Sequence, residues 1–251
     1  MNLKKKILAI TIGPVLILGI ITILYTVTMV KNSMMDETKD ALKGTAAATL
    51  AAYDQNTGDY LETSNGDIWK GSYNISKSEN LVDRIKDNTG MDVTFFYGDQ
   101  RIMTSAVDSN GDRVLNSKAG DVIVQKVLQG GEEYFSKAVS IEGTINYGYF
   151  MPVYQNGSKD DIVGMIFVGT NKQEKDAVVM GLIRSIVVAV VVVMLICVIV
   201  STKLASNISK NIGISISTVE KIAAGDLNVR VKQKLLDSKD EIGALSRVTI
   251  T

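Results

Sequence analysis

The side chains that most often carry out chemistry are scarce in this chain, and those present stand where charge is ordinarily solvated. Among 251 residues there is no histidine and a single cysteine, which removes the commonest general base and the commonest metal ligand. That cysteine, Cys197, lies inside an apolar run, so the rest of the chain must fold without disulfides. The carboxylate neighbours Glu132-Glu133 and Asp160-Asp161 border turns, where adjacent charges face water rather than substrate. No nucleotide-binding glycine loop occurs, and Gly130-Gly131 reads as a turn. The expectation is a protein that is not an enzyme and uses no metal or cofactor. Lysine plus arginine and aspartate plus glutamate number 27 each, a balance that disfavours a nucleic-acid partner.

The elements that must position any binding groups are set by hydropathy. A hydrophobic share of 46% is concentrated in two runs, residues 7–30 and 177–200. Each would cover about 36 Å as a helix, enough for a hydrocarbon core of about 30 Å. Pro14 sits near the start of the first run, where a missing N–H costs least. The first run is longer than a signal core and offers no small-x-small cleavage site, so it is expected to stay attached. Arg184 near the start of the second run can snorkel to the interface. Residues 31–176 hold 15 basic against 22 acidic side chains, while 203–251 hold 8 against 5 and Lys4, Lys5 and Lys6 precede the first run. Basic flanks stay cytoplasmic. The expected layout is a cytoplasmic N-terminus (1–6), a membrane helix (7–30), an extracellular domain (31–176), a second membrane helix (177–202) and a cytoplasmic segment (203–251). That places the chain in the cell membrane as a multi-pass protein.

Between the membrane helices, Lys31 to Tyr53 is Ala-rich and free of proline, with Met34, Thr38, Leu42, Thr45, Thr49 and Ala52 at helical spacing. It predicts a helix continuing out of the membrane. Asp54 to Ser78 is dense in Gly, Asn, Ser and Asp and reads as loop or irregular strand. Ser78 then caps a short helix that stops at Gly90. Period-two runs follow at Met91 to Tyr97 and Arg101 to Val107, joined by Gly98-Asp99. A short helix from Asp121 ends at Gly130-Gly131, and three more strand runs occupy Glu133 to Ile141, Thr144 to Tyr154 and Ile162 to Thr170. The order predicts an α+β domain, a five-stranded antiparallel sheet with helices on one face.

The stretches Thr89 to Ile102, Gly130 to Tyr134, Tyr149 to Tyr154 and Ile162 to Gly169 resemble the single Cache (PAS-like) sensory domain of methyl-accepting chemotaxis proteins. Beyond the second membrane run, Ile222 to Val229 followed by Asp240 to Leu245 looks like a HAMP linker. The residues support the linker independently: Leu204, Ile208, Ile212, Ile216, Val219 and Ile222 repeat along one helical face, the seam of a parallel coiled coil. Gly225 would end that helix, and Asp240-Glu241 would favour the N-terminal turn of a second one. The proline usual in the family after the membrane helix is missing from Ser209 to Ile212.

The resemblance implies a chemoreceptor sensory module that binds a small extracellular ligand and acts as a homodimer, passing a conformational signal across the membrane for chemotaxis. In a full-length form it implies an adaptor and a histidine kinase as partners. Eleven residues after Asp240 leave no room for the methylated hairpin, so a truncated receptor is expected. The alternative is the sensory half of a membrane histidine kinase or nucleotide cyclase lacking its catalytic domain. Family ligands bind on one face of the sheet, and many are small organic anions. Such a ligand needs a fixed cation and oriented donors. Arg101 is the foremost candidate, with Thr104 and Ser105 after it, Lys137 as a second cation, Tyr134, Tyr147 and Tyr149 as hydroxyl donors, and Phe96 and Phe150 as apolar walls. Strand alternation sets Arg101, Met103 and Ser105 on one face and Thr104 on the other unless a bulge intervenes.

Overall fold

The computed structural model describes residues 3–225, 237 and 241–248. They form two units, Met29–Leu182, and Met1–Thr28 together with Ile183–Thr251.

Helix α1 spans Leu3–Asp54 without a break. Its threonines are tolerated because the hydroxyls of Thr11, Thr28, Thr38 and Thr49 each donate to the carbonyl four residues back. In its last three turns Leu42, Ala46, Thr49 and Tyr53 are buried. The buried face is rotated by one position from the expected one, with Ala46 and Tyr53 in place of Thr45 and Ala52, because the aromatic ring of Tyr53 takes the space over Phe95.

The segment after α1 is more ordered than its composition suggests. Strands β1 (Tyr60–Glu62), β2 (Ile68–Lys70) and β3 (Tyr73–Asn74) make a small antiparallel sheet, and its Tyr60 and Ile68 are buried in the main core. Lys70 is buried there too, with its ammonium 3.1 Å from Asp54 and 4.0 Å from the Tyr60 ring centre, so its charge is paired and faced by a π surface. Helix α2 (Glu79–Thr89) ends at Gly90 in the left-handed conformation, φ 68°. Ser78 precedes it but makes no side-chain cap; its hydroxyl instead bonds Tyr53 Oη and the Ile75 carbonyl.

The large sheet contains β4 (Asp92–Tyr97), β5 (Gln100–Thr104), β6 (Tyr134–Ile141), β7 (Thr144–Tyr154) and β8 (Ile162–Asn171), all antiparallel in the order β5-β4-β8-β7-β6. Pro152 in β7 falls past Phe150, the last β7 residue paired with β6, so its absent N–H breaks no bond on that side. One face packs on α1 and α2 through Phe95, Tyr147, Tyr149, Ile166 and Val168. The other packs Phe96, Phe150, Met165 and Phe167 beneath Val127 and Ile123. Helical segments therefore lie on both faces rather than one. The second cover is α3 (Asp121–Ile123) running into a π-helix, Val124–Gln129, where an α-helix was expected. Wide π turns are uncommon and cluster at functional sites.

β8 passes directly into α4 (Lys172–Ala223). Both α1 and α4 contain stretches long and apolar enough to cross a membrane. α4 carries Leu204, Ile208, Ile212, Ile216, Val219 and Ile222, and the chain turns at Ala224 and Gly225, with φ 89° at the glycine. A further helix, α5, spans Glu241–Val248. Asp226 to Val229 and Asp240, on which the rest of the linker motif depends, lie outside the described residues.

Candidate ligand cleft

A cleft of about 560 Å³ opens on the sheet face beneath α3. Its floor exists because two glycines meet. Gly148 of β7 and Gly169 of β8 are cross-strand partners, and a Cβ on either would lie within 2.6 Å of the Phe167 ring. Without those side chains the ring sits close over both glycines, 4.9 Å from Phe150. Tyr134 stacks on Phe150 at 6.5 Å. Ile123 and Val139 complete the apolar walls, and Ser136, Ser140, Lys118 and Asp121 supply polar edges.

Arg101 reaches this face through a bulge. β4 and β5 pair Phe95 with Met103 but Phe96 with Arg101, leaving Ile102 as one extra residue in β5. Alternation resumes shifted by one, so Arg101 shares a face with Thr104 and leaves Met103 on the helix side. The Arg101 residue is 8% exposed. Its guanidinium carbon lies 5.5 Å from the Phe96 ring centre, and Nη1 donates to the Val114 carbonyl at 3.2 Å. Nε is buried with no acceptor, and among the described residues no carboxylate comes within ion-pair distance of the group. Burial pushes its pKa down, opposed by the more distant charges of Glu142 and Asp92. A desolvated cation without a counter-ion beside an aromatic cavity is a strong attractor for an anion.

Of the residues named from sequence, Phe96, Arg101, Tyr134 and Phe150 meet at this cleft. The others do not. Thr104 shares a 2.7 Å side-chain hydrogen bond with Thr94 and accepts from the Ala106 amide. Ser105 accepts from the Val93 amide and donates to Asp92. Lys137 falls in a bulge of β6 and is exposed. Tyr147 and Tyr149 point to the opposite face, where each hydroxyl meets a carboxylate paired with a lysine. Tyr149 donates to Glu133, which lies 2.5 Å from Lys43 of α1. Tyr147 donates to Asp176, which lies 2.6 Å from Lys172 of α4. Burial, then the Glu133 hydrogen bond and charge, push the Tyr149 hydroxyl up to about 12, while Lys43 and Tyr149 hold Glu133 below its ordinary value. Phe167, Val139, Ile123, Ser136, Ser140, Lys118 and Asp121 also line the cleft and were not named from sequence, nor were Gly148 and Gly169, which seat the Phe167 ring. The signal available for the glycines was their place inside strands, which marks close approach of another group.

Residues 73–181 match the family model described as Single cache domain 3. Among curated proteins none matches the sequence. Solved structures align with it at low identity. The extracellular ligand binding receptor from Desulfohalobium retbaense DSM5692 shares 13% identity at a TM-score of 0.42, covering 61% of this chain and 26% of that one. The ligand-binding domain of the Campylobacter jejuni chemoreceptor Tlp3 in complex with L-valine shares 11% at 0.42, covering 70% and 64%. The sensory domain of the same chemoreceptor with isoleucine bound shares 10% at 0.41, with the same coverage. The chain thus spans about a quarter of the first and just under two thirds of the other two. The α+β domain between the two long apolar helices, whose sheet floors the cleft, is a Cache domain.

Proposed function

We propose that the chain is the sensory and relay part of a transmembrane chemoreceptor, binding a small organic anion in the cleft outside the cell and passing a displacement inward. The observation that carries the reading is Arg101, whose buried guanidinium faces an aromatic cleft without a carboxylate partner. In a finished core such a charge would be paired, since desolvating it alone is costly. The family match of residues 73–181 and the two apolar helices support the same reading. In it the chain is a homodimer whose α4 stripe from Leu204 to Ile222 forms a parallel seam of HAMP type, because that stripe is largely exposed in one copy. Its role is binding and transmission, not catalysis, and kinase control belongs to an adaptor-bound signalling region. Thermal unfolding of the full chain in detergent against a panel of small organic acids tests the anion site. One or more acids should raise the midpoint saturably, and Arg101→Gln should abolish the rise. Equal stabilisation of the variant would refute the assignment.

A further inference from the structure

We propose that the ligand is a monocarboxylate with a bulky apolar body and no ammonium group. This rests on the reading of the cleft as an anion site and narrows its ligand.

Charge in the lining sets the headgroup. Arg101 is the one buried cation there. The other lining cation, Lys118, is exposed and already lies 3.0 Å from Asp99. A second ligand carboxylate would therefore enter without a free, desolvated partner, which disfavours dicarboxylates. The one lining carboxylate, Asp121, is exposed in the first turn of α3. An α-ammonium would be held close to the Arg101 guanidinium by its own carboxylate, repelled by it and stripped of water with no buried anion to compensate. The cleft thus penalises a zwitterion at the place where it rewards a simple acid.

Shape sets the body. Tyr134, Phe150 and Phe167 form a continuous aromatic surface, Phe96 belongs to the same buried cluster beside the Arg101 guanidinium, and the Gly148–Gly169 pair leaves room for the Phe167 ring against the sheet. At about 560 Å³ the space far exceeds what a two- or three-carbon acid occupies. Apolar area is what such a body would bury.

Isothermal calorimetry on the full chain in lipid nanodiscs tests this with matched probes: hydrocinnamate and isocaproate, their amino-acid counterparts L-phenylalanine and L-leucine, the neutral hydrocinnamide, and the dicarboxylate phenylsuccinate. At least one of the two simple acids should bind about tenfold or more tightly than its amino-acid counterpart, the amide and phenylsuccinate, and Arg101→Gln should weaken it by a similar factor. The ligand-side comparison with the amide stands even if that variant folds poorly; Arg101→Lys, which keeps the charge, should retain part of the affinity. Amino acids or phenylsuccinate binding as tightly as the simple acids would overturn the ligand class and leave the anion site standing. Hydrocinnamide binding as tightly as hydrocinnamate would overturn the anion site itself. Failure of both simple acids to bind would overturn the proposed class.

Discussion

The Tyr147 hydroxyl donates a 2.6 Å hydrogen bond to Asp176, joining the strand that floors the cleft to the first turn of α4. Lys172 completes the cluster, 2.6 Å from both the Tyr147 oxygen and Asp176 and 4.4 Å from the tyrosine ring centre. Because Gly148 is the next residue, cleft floor and helix anchor are adjacent in one strand, on opposite faces. Tyr147→Phe should cost about 0.5–1.5 kcal/mol of stability. Hydrogen exchange should quicken in the first turn of α4 while ligand affinity stays within about twofold. Unchanged exchange there would mean that the bond does not hold the helix.

The floor glycines give a sharper test. In Gly148→Ala the new Cβ would stand 2.6 Å from the Phe167 ring and 2.8 Å from a Val139 methyl, so the ring must tilt into the cleft. The expected cost is about 1–3 kcal/mol of stability, with ligand affinity reduced more than in Tyr147→Phe. Chemical denaturation and calorimetry on the same variant check both parts.

Alkaline pH should weaken the domain through its buried tyrosines. Burial raises the pKa of Tyr53 and of Tyr60, whose hydroxyl also donates to Asp54. In the unfolded chain these groups ionise near the ordinary value of 10.0. A raised folded pKa contributes stability that is fully present below that value and is lost as pH rises above it. Unfolding midpoints should therefore fall from about pH 10 upward, and Tyr53→Phe should flatten the fall while lowering stability at neutral pH by about 0.5–1.5 kcal/mol. An identical alkaline slope in the variant would assign the effect to other groups.

Much of this architecture was legible because period-two runs and turn pairs are local signals. Gly98-Asp99 and Glu142-Gly143 each stand at the ends of strands they were expected to separate. Arg101 was legible as a cation at the start of a strand. Which face it takes was not, since the extra residue Ile102 reverses the alternation, and a bulge inside a correctly placed hairpin leaves no mark on the period-two pattern. Tyr147 and Tyr149 looked like ligand donors by type, yet Asp176 and Glu133, 29 and 16 residues away, accept their hydrogen bonds. Ser78 and Thr104 were misread for a related reason: their hydroxyls serve Tyr53 and Thr94 across the fold. The strands at Tyr60, Ile68 and Tyr73 were obscured by turn-rich composition, and burial of Tyr60 and Ile68 in the core overrides it.

Dimerisation is expected to follow the α4 stripe. Single cysteines at Ile208 or Ile216, introduced after Cys197→Ser, should crosslink two copies in membranes. Controls on the opposite side of the helix, at the exposed Lys210 or Ser217, should link far less. Absence of crosslinks at both stripe positions would remove the parallel seam.

Ligand in the cleft is expected to move α4 relative to α1. Cysteine pairs placed across residues 7–30 and 177–200, again without Cys197, report this as an oxidation rate measured with and without a bound acid. The rate should change, saturate with the same dissociation constant as binding, and lose its ligand dependence in Arg101→Gln. A rate that stays constant while calorimetry shows the cleft filled would contradict it.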